Sequence, residues 1–166
     1  MGSLVYILST RGDLCFSVHK LAKRSTNPSK VQFEGLIHLL RYIRDNKNLG
    51  LNYYSKIEDA FMSDILRQVS INTNNQLMIF SDSIWNYCID TGRSTGTYIL
   101  FYQGVTIDHC THVPGTVAQY STESEYSAAF ISVMSIAHFM MINIELFNKD
   151  TDVVPEQAPT IILDIN

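Results

Sequence analysis

Three acidic residues lie along this 166-residue chain where an α/β fold tends to bring chemistry together. Asp82 closes the short strand-like run Leu-Met-Ile-Phe-Ser-Asp, and Glu125 sits in the first turn of a long helical pattern. Asp164 closes the buried-strand pattern Thr-Ile-Ile-Leu-Asp. Carboxylates converging from two strand ends and a helix offer hard oxygen donors, which Mg²⁺ and similar cations prefer. Two such ions about 4 Å apart activate a water and stabilise the leaving oxygen of a cleaved phosphodiester. Carboxylates held together also need cations or protons to offset their repulsion. Each acid has a plainer use as well. Asp82 could cap a turn, Glu125 could close a capping box with Thr122, and Asp164 could be a solvated terminal group. Spacing alone leaves both readings open.

Other chemistry is poorly supplied. The histidines His19, His38, His109, His112 and His138 show no zinc spacing, and no second pair joins the set around Cys110. A Cys110–His112 nucleophile pair lacks a third partner and an elbow motif. Neither a phosphate-binding GxxxxGK[ST] loop nor a dinucleotide fingerprint occurs. Arg11-Gly12-Asp13 reads as an incidental tripeptide at the opening of a helix. Three widely spaced cysteines, Cys15, Cys88 and Cys110, argue against a disulfide scaffold and for an intracellular chain, cytoplasmic or nuclear. A hydrophobic share of 46% against 17% charged excludes a disordered chain. The apolar start is too short and too uncharged for a signal peptide. No run reaches the roughly 18 apolar residues of a membrane span, so no membrane partner is expected.

The elements that would position these groups follow from periodicity. Asp13 can cap a helix whose Leu14, Val18, Leu21 and Ala22 form a stripe, broken at Pro28. A second helix carries Val31, Leu36, Leu39, Leu40 and Ile43 at helical spacing, with Gly50 as its stop. Residues 49–54 read as a hairpin arm, and the polar stretch at 70–76 as a linker. Beyond it come a strand at 77–82, a hairpin turning at Gly104, and a third strand or its entry at 117–120. The long helix begins near Ser121, with Tyr126, Ala129, Phe130, Val133, Ala137, Met140, Met141 and Ile144 as its apolar stripe. The order predicts a mixed α/β unit.

The net charge of −4 conceals an asymmetry. Residues 1–58 carry nine Lys/Arg against four acids, and 59–166 carry three against twelve. A basic half favours polyanions, and an acidic half repels them unless a cation intervenes.

At the acids the pattern becomes a resemblance. The stretch from Arg93 to Ala129, RSTGTYILFYQGVTIDHCTHVPGTVAQYSTESEYSAA, resembles the ribonuclease H region of copia-type LTR retrotransposon Pol polyproteins. That family carries patterns such as YSDADW, RRSTSGYxxxxxG, ISWxSKKQPTVALSSTEAEYxA and a TIYCDN-like strand. Residues 80–85, 93–96, 121–126 and 160–164 match them in order. Residues 10–53 are similar to the family's segment that closes the reverse transcriptase thumb and leads to the connection. The resemblance implies a thumb/connection remnant at 1–58, a linker at 59–76, and a partial ribonuclease H-like domain at 77–166, a mixed sheet with helix. It implies that Asp82, Glu125 and Asp164 are the catalytic, metal-binding carboxylates, holding two Mg²⁺ ions that hydrolyse the RNA strand of RNA–DNA hybrids. Glu123 is then a neighbouring acid rather than a ligand. Hybrid, RNA or other Pol products are the implied partners, met through backbone and 2′-hydroxyl contacts.

Several departures bear on activity. Ile84 replaces the second acid of the SDAD pattern, Gly12 replaces the proline of TRPD, and residues 108–114 lack the family's tryptophan and lysines. The chain stops before the family's final helix and fourth carboxylate, and the polymerase aspartates are absent. The reading is therefore a truncated Pol remnant with ancestral ribonuclease H chemistry and no efficient turnover of its own. Two alternatives are carried with it. One is an active small ribonuclease H. The other is a nucleic-acid- or Pol-binding module acting through Lys20, Lys23, Arg24 and Arg44, with Arg93 as a further contact.

Overall fold

A computed structural model describes residues 2–51, 77–102, 105–147 and 159–163. Its contacts divide the chain into two units, Met1–Asn52 and Tyr53–Asn166. The expected linker and half of the 49–54 hairpin arm lie outside the described residues, and Leu49–Leu51 form no strand.

In the first unit, helix α1 spans Gly2–Ile7, a single 3-10 turn spans Gly12–Leu14, α2 spans Cys15–Ala22 and α3 spans Lys30–Asp45. Leu14 and Val18 of the predicted stripe are buried with Leu4 and Leu39, and Leu21, Leu36 and Ile43 pack against them. Val31 and Leu40 point to solvent instead, because α3 buries one narrow face. Ser29 starts α3 with a full capping box, its hydroxyl accepting from the Gln32 amide and the Gln32 side chain accepting from the Ser29 amide. The helix ends at Asn46, well before the expected stop at Gly50.

Asp13 does not cap α2, whose N-cap is Leu14 with no side-chain bond. Its carboxylate is held by Arg11 through two hydrogen bonds, Nε to Oδ1 at 2.9 Å and Nη2 to Oδ2 at 2.8 Å. Tyr42 donates a third bond to Oδ2 at 3.1 Å, and its ring lies 5.9 Å from the guanidinium. Arg11 Nη1 donates to the Asn46 carbonyl at 2.9 Å, joining the 3-10 turn to the end of α3. The guanidinium is only 6% exposed, so its hydrogen-bonding capacity must be met from within the protein.

The second unit is built on a four-stranded sheet in the order β3-β2-β1-β4: β1 Leu77–Ile84, β2 Thr95–Tyr102, β3 Val105–His112 and β4 Thr160–Leu163. The first three form an antiparallel meander, and β4 pairs with β1 in parallel. Helix α4, Ser121–Phe147, lies on β1 and β2. This is the expected mixed α/β, ribonuclease H-like arrangement. The meander turn at Gly104 lies outside the described residues, and 117–120 forms no strand.

The core joins Leu77, Ile79, Tyr98 and Leu100 to Ile136 of α4. Strand alternation therefore puts Leu77, Ile79, Ser81 and Ser83 on the helix side, and Met78, Phe80 and Asp82 on the other. The buried positions of α4 are Ser124, Ala128, Ser132 and Ile136, a four-residue repeat. The predicted stripe lies largely opposite, with Tyr126, Phe130, Val133, Met141 and Ile144 exposed. The largest apolar residues marked the helix correctly and its inward face wrongly. Small side chains are what admit a helix close to the sheet. The charge-free stretch also makes α4 long and apolar enough to cross a membrane by length and composition, contrary to the expectation from apolar runs.

The Arg11 network predicts a pH response in the first unit. Its hydrogen bonds to Arg11 hold the Asp13 carboxyl below its ordinary 3.8. The unfolded chain thus takes up this proton first. The stabilisation is complete above about pH 4 and is lost as pH falls through the folded value. Asp13→Ala, which leaves a buried guanidinium without its carboxylate, should cost on the order of 2 kcal/mol at neutral pH. Chemical unfolding of the variant followed by circular dichroism measures this cost, and the acid-side slope should flatten.

Candidate functional site

The sheet end beside the start of α4 carries two of the three candidate acids. Asp82 lies two residues before the end of β1, opposite Thr97 of β2, rather than at the strand's terminus. It is exposed, and its Oδ1 accepts from the Ser83 amide at 2.7 Å. Glu125 opens the second turn of α4, since the helix begins at Ser121, and it is half-buried with a buried Oε2. The acid of the first turn is Glu123, whose Oε2 accepts from the Gln119 amide at 2.6 Å. That bond replaces the expected Thr122–Glu125 capping box, and it favours the positive end of the helix. Asp164 lies outside the described residues. The last described residue of β4, Leu163, pairs with Ser81, the residue before Asp82.

Between the two described acids, the Ser83 and Ser124 hydroxyls meet in a close hydrogen bond. Each serine is the chain neighbour of one carboxylate, so this contact sets the backbones of Asp82 and Glu125 beside one another. Asp82 itself lies on the face of the sheet away from α4, so the described side chains do not bring its carboxylate to that of Glu125. Oxygen donors of this kind suit a hard divalent cation rather than a soft one. Among the described residues, no group of three or more His, Cys, Asp or Glu is gathered to hold a metal ion.

The same register row explains a glycine. Ser83 pairs with Gly96, and Gly96 pairs with His112, so all three share the helix-facing side. A Cβ on Gly96 would stand 2.6 Å from Cε1 and 2.7 Å from Nε2 of His112, and 3.1 Å from the Ala128 methyl. The imidazole occupies the space a side chain would take, and α4 closes over it. A glycine inside a strand pattern is the sequence signal for such close approach.

Asp108 is a structural feature of this unit that spacing missed. It opens the stretch 108–114 that lacks the family's tryptophan and lysines, and its Oδ2 accepts from the Tyr98 hydroxyl at 2.9 Å and from Ser135 Oγ of α4 at 2.8 Å. Its Oδ1 accepts from the His109 amide. The carboxylate thus clamps β3, β2 and α4 together. Burial first, with the neighbouring Asp108 adding to it, pushes the Tyr98 hydroxyl up to about 12. On the loop after β1, Trp85 donates its indole N–H to the Ala118 carbonyl at 3.0 Å, tying the approach to α4 to the end of β1.

Of the proposed nucleic-acid contacts, Lys20, Lys23, Arg24 and Arg44 are exposed on the first unit. Arg44 is paired with Asp45 at 2.8 Å. Arg93, on the second unit, is also exposed.

Comparison with known proteins gives three relatives from two organisms. The uncharacterized mitochondrial protein AtMg00240 of Arabidopsis thaliana is 31% identical over 90 residues, covering 54% of this chain and 67% of that protein. The chain belongs to that protein's family. A second Arabidopsis thaliana protein, the uncharacterized mitochondrial protein AtMg00810, is 28% identical over 82% of this chain, and the match covers 50% of its own length. The chain therefore spans about half of that relative. The secreted RxLR effector protein 161 of Plasmopara viticola is 26% identical over 77% of this chain and 80% of that protein. No family model matches the chain, and no solved structure does so significantly.

Gly96 offers the sharpest test of this packing. Gly96→Ala should destabilise the second unit by about 1–3 kcal/mol through overpacking against His112 and Ala128. Adding His112→Ala should return part of that loss, so a double-mutant cycle in denaturant should show clear non-additivity.

Proposed function

We propose that this chain derives from a retroelement Pol polyprotein, with ancestral Mg²⁺-dependent hydrolysis of RNA in RNA–DNA hybrids and little or no turnover of its own. The observation that supports this most is the arrangement of the second unit. Asp82 lies on β1 beside the parallel β4, and Glu125 lies on the helix whose serine touches the neighbour of Asp82. In this reading Asp82, Glu125 and Asp164 would hold the cation. The ion would supply an activated water and charge stabilisation at the leaving oxygen. The chain's own contribution is placement: the Ser83–Ser124 contact holds the start of α4 against the end of β1, and the Gln119–Glu123 bond anchors the start of α4.

Weak turnover follows from electrostatics. The unit Tyr53–Asn166 carries four Lys/Arg against thirteen acids. His112 and Val113 stand where the family pattern carries its two lysines, so that stretch brings no such positive charge. Lost cationic contacts reduce affinity for a polyanion directly. The expected result is that a labelled RNA–DNA hybrid in millimolar Mg²⁺ is cut no faster by the natural chain than by its Asp82→Asn, Glu125→Gln double variant. Cleavage by the natural chain that the double variant abolishes would instead establish the active small ribonuclease H.

The second reading, a nucleic-acid-binding module, is favoured by one observation. The unit Met1–Asn52 carries eight Lys/Arg against three acids, with Lys20, Lys23 and Arg24 at three- and four-residue spacing around the exposed end of α2. Binding of fluorescent RNA, read by anisotropy, should weaken about tenfold at low salt when these three become Gln, with a shallower salt dependence. Arg44→Gln should change little, because Asp45 already offsets its charge. Equal binding by the triple variant would sink this reading.

A further inference from the structure

Helix α4 presents two faces of opposite character. The side on the sheet buries Ser124, Ala128, Ser132 and Ile136, with Ile131, Phe139 and Met140 packed against the same core at its edges. On the far side, Tyr126 is 66% exposed, Phe130 63% and Met141 61%, with Val133, Met134 and Ile144 also exposed. Tyr126, Phe130, Val133, Ala137 and Ile144 lie on the four- and three-residue steps of a two-helix seam, with Met140 at its inner edge, where it also packs against the sheet core. The seam runs through a stretch, residues 126–144, with no Asp, Glu, Lys or Arg. The 27-residue helix is about 40 Å long. An eight-residue strand beneath it extends about 26 Å.

We propose that this face is an interface in which a second copy of the chain packs its α4 antiparallel against the first. The exposed part of the seam amounts to roughly 600 Å² per copy, judged from ordinary side-chain areas. Two copies would bury about 1,200 Å², the lower bound of stable interfaces. Charge selects among occupants. The acids flanking the seam are Glu123, Glu125 and Glu145, with no cation on the helix, which disfavours an anionic lipid surface. Glu123 continues the heptad register at the N-terminal end, so a parallel pair would face Glu123 with its own copy. The antiparallel arrangement removes that repulsion and sets Phe130 against the Met140 position and Val133 against Ala137.

Sedimentation of the full chain from about 1 to about 100 µM should show a monomer–dimer equilibrium strengthened by salt, which screens the like charges of the two copies. Phe130→Glu should weaken it at least tenfold while retaining the helical circular dichroism and melt, since Phe130 points away from the sheet. Met141→Glu near the other end reads the same interface if the first variant does not fold. Chains carrying Val133→Cys and Ala137→Cys, mixed and oxidised, should cross-link to each other in preference to themselves. A monomer throughout this range, a polydisperse series, or a dimer indifferent to both Glu substitutions would overturn the proposal. So would a monomer that floats with phosphatidylcholine vesicles, which would make lipid the occupant.

Discussion

How closely α4 can approach β1 and β2 governs the second unit, because the candidate acids, the core and the helix's outer surface are all set by that distance. Serine and alanine at every fourth position of the inner face, and a glycine on β2 beneath them, allow the backbones to come near. Ser132 satisfies its buried hydroxyl on the Ala128 carbonyl one turn back, at 2.9 Å, which keeps a polar side chain inside without an unmet hydrogen bond. Larger residues on this face would lift the helix. The Ser83–Ser124 contact would then part, and Glu125 would move away from the end of β1. Small residues inside also leave the large apolar ones outside, so the outer face follows from the same constraint.

The sequence was legible where periodicity and burial coincide. Leu77 and Ile79 on β1, the β2–β3 hairpin, and the Leu14–Val18 stripe were read from spacing and are where they were expected. It misled where size stood in for direction. Tyr126 and Phe130 mark a helix, but its first half rests on the sheet through Ser124, Ala128 and Ser132, and the large residues that do turn inward, Ile131, Ile136 and Phe139, are other than the stripe read from spacing. Side-chain partners were also beyond reach. Asp13 resembles a cap until Arg11 takes its carboxylate, and Asp108 resembles a lost contact until Tyr98 and Ser135 converge on it. At the candidate site, the elements carrying Asp82 and Glu125 were legible. The hydroxyl pair between them was not, because a contact between residues 41 apart has no local signature.

The two units divide the chain's electrostatic character. Met1–Asn52 holds most of the positive charge, and its buried Arg11 is matched internally while the lysines face solvent. Tyr53–Asn166 holds most of the acids. Some of these are committed to structure, Glu123 at a helix start and Asp108 in a three-element clamp. Asp82 is exposed and accepts from the amide of its neighbour Ser83, a local contact that ties no second element to β1.

The strand order has a kinetic meaning. β1, β2 and β3 are joined in sequence by short connections, and α4 follows directly, so this part can assemble from contacts close in the chain. β4 closes the longest loop in the sheet, pairing residues 160–163 with 78–81, and loop-closure entropy delays such contacts. With only four residues in parallel register, it is the strand expected to dock last and to fray first.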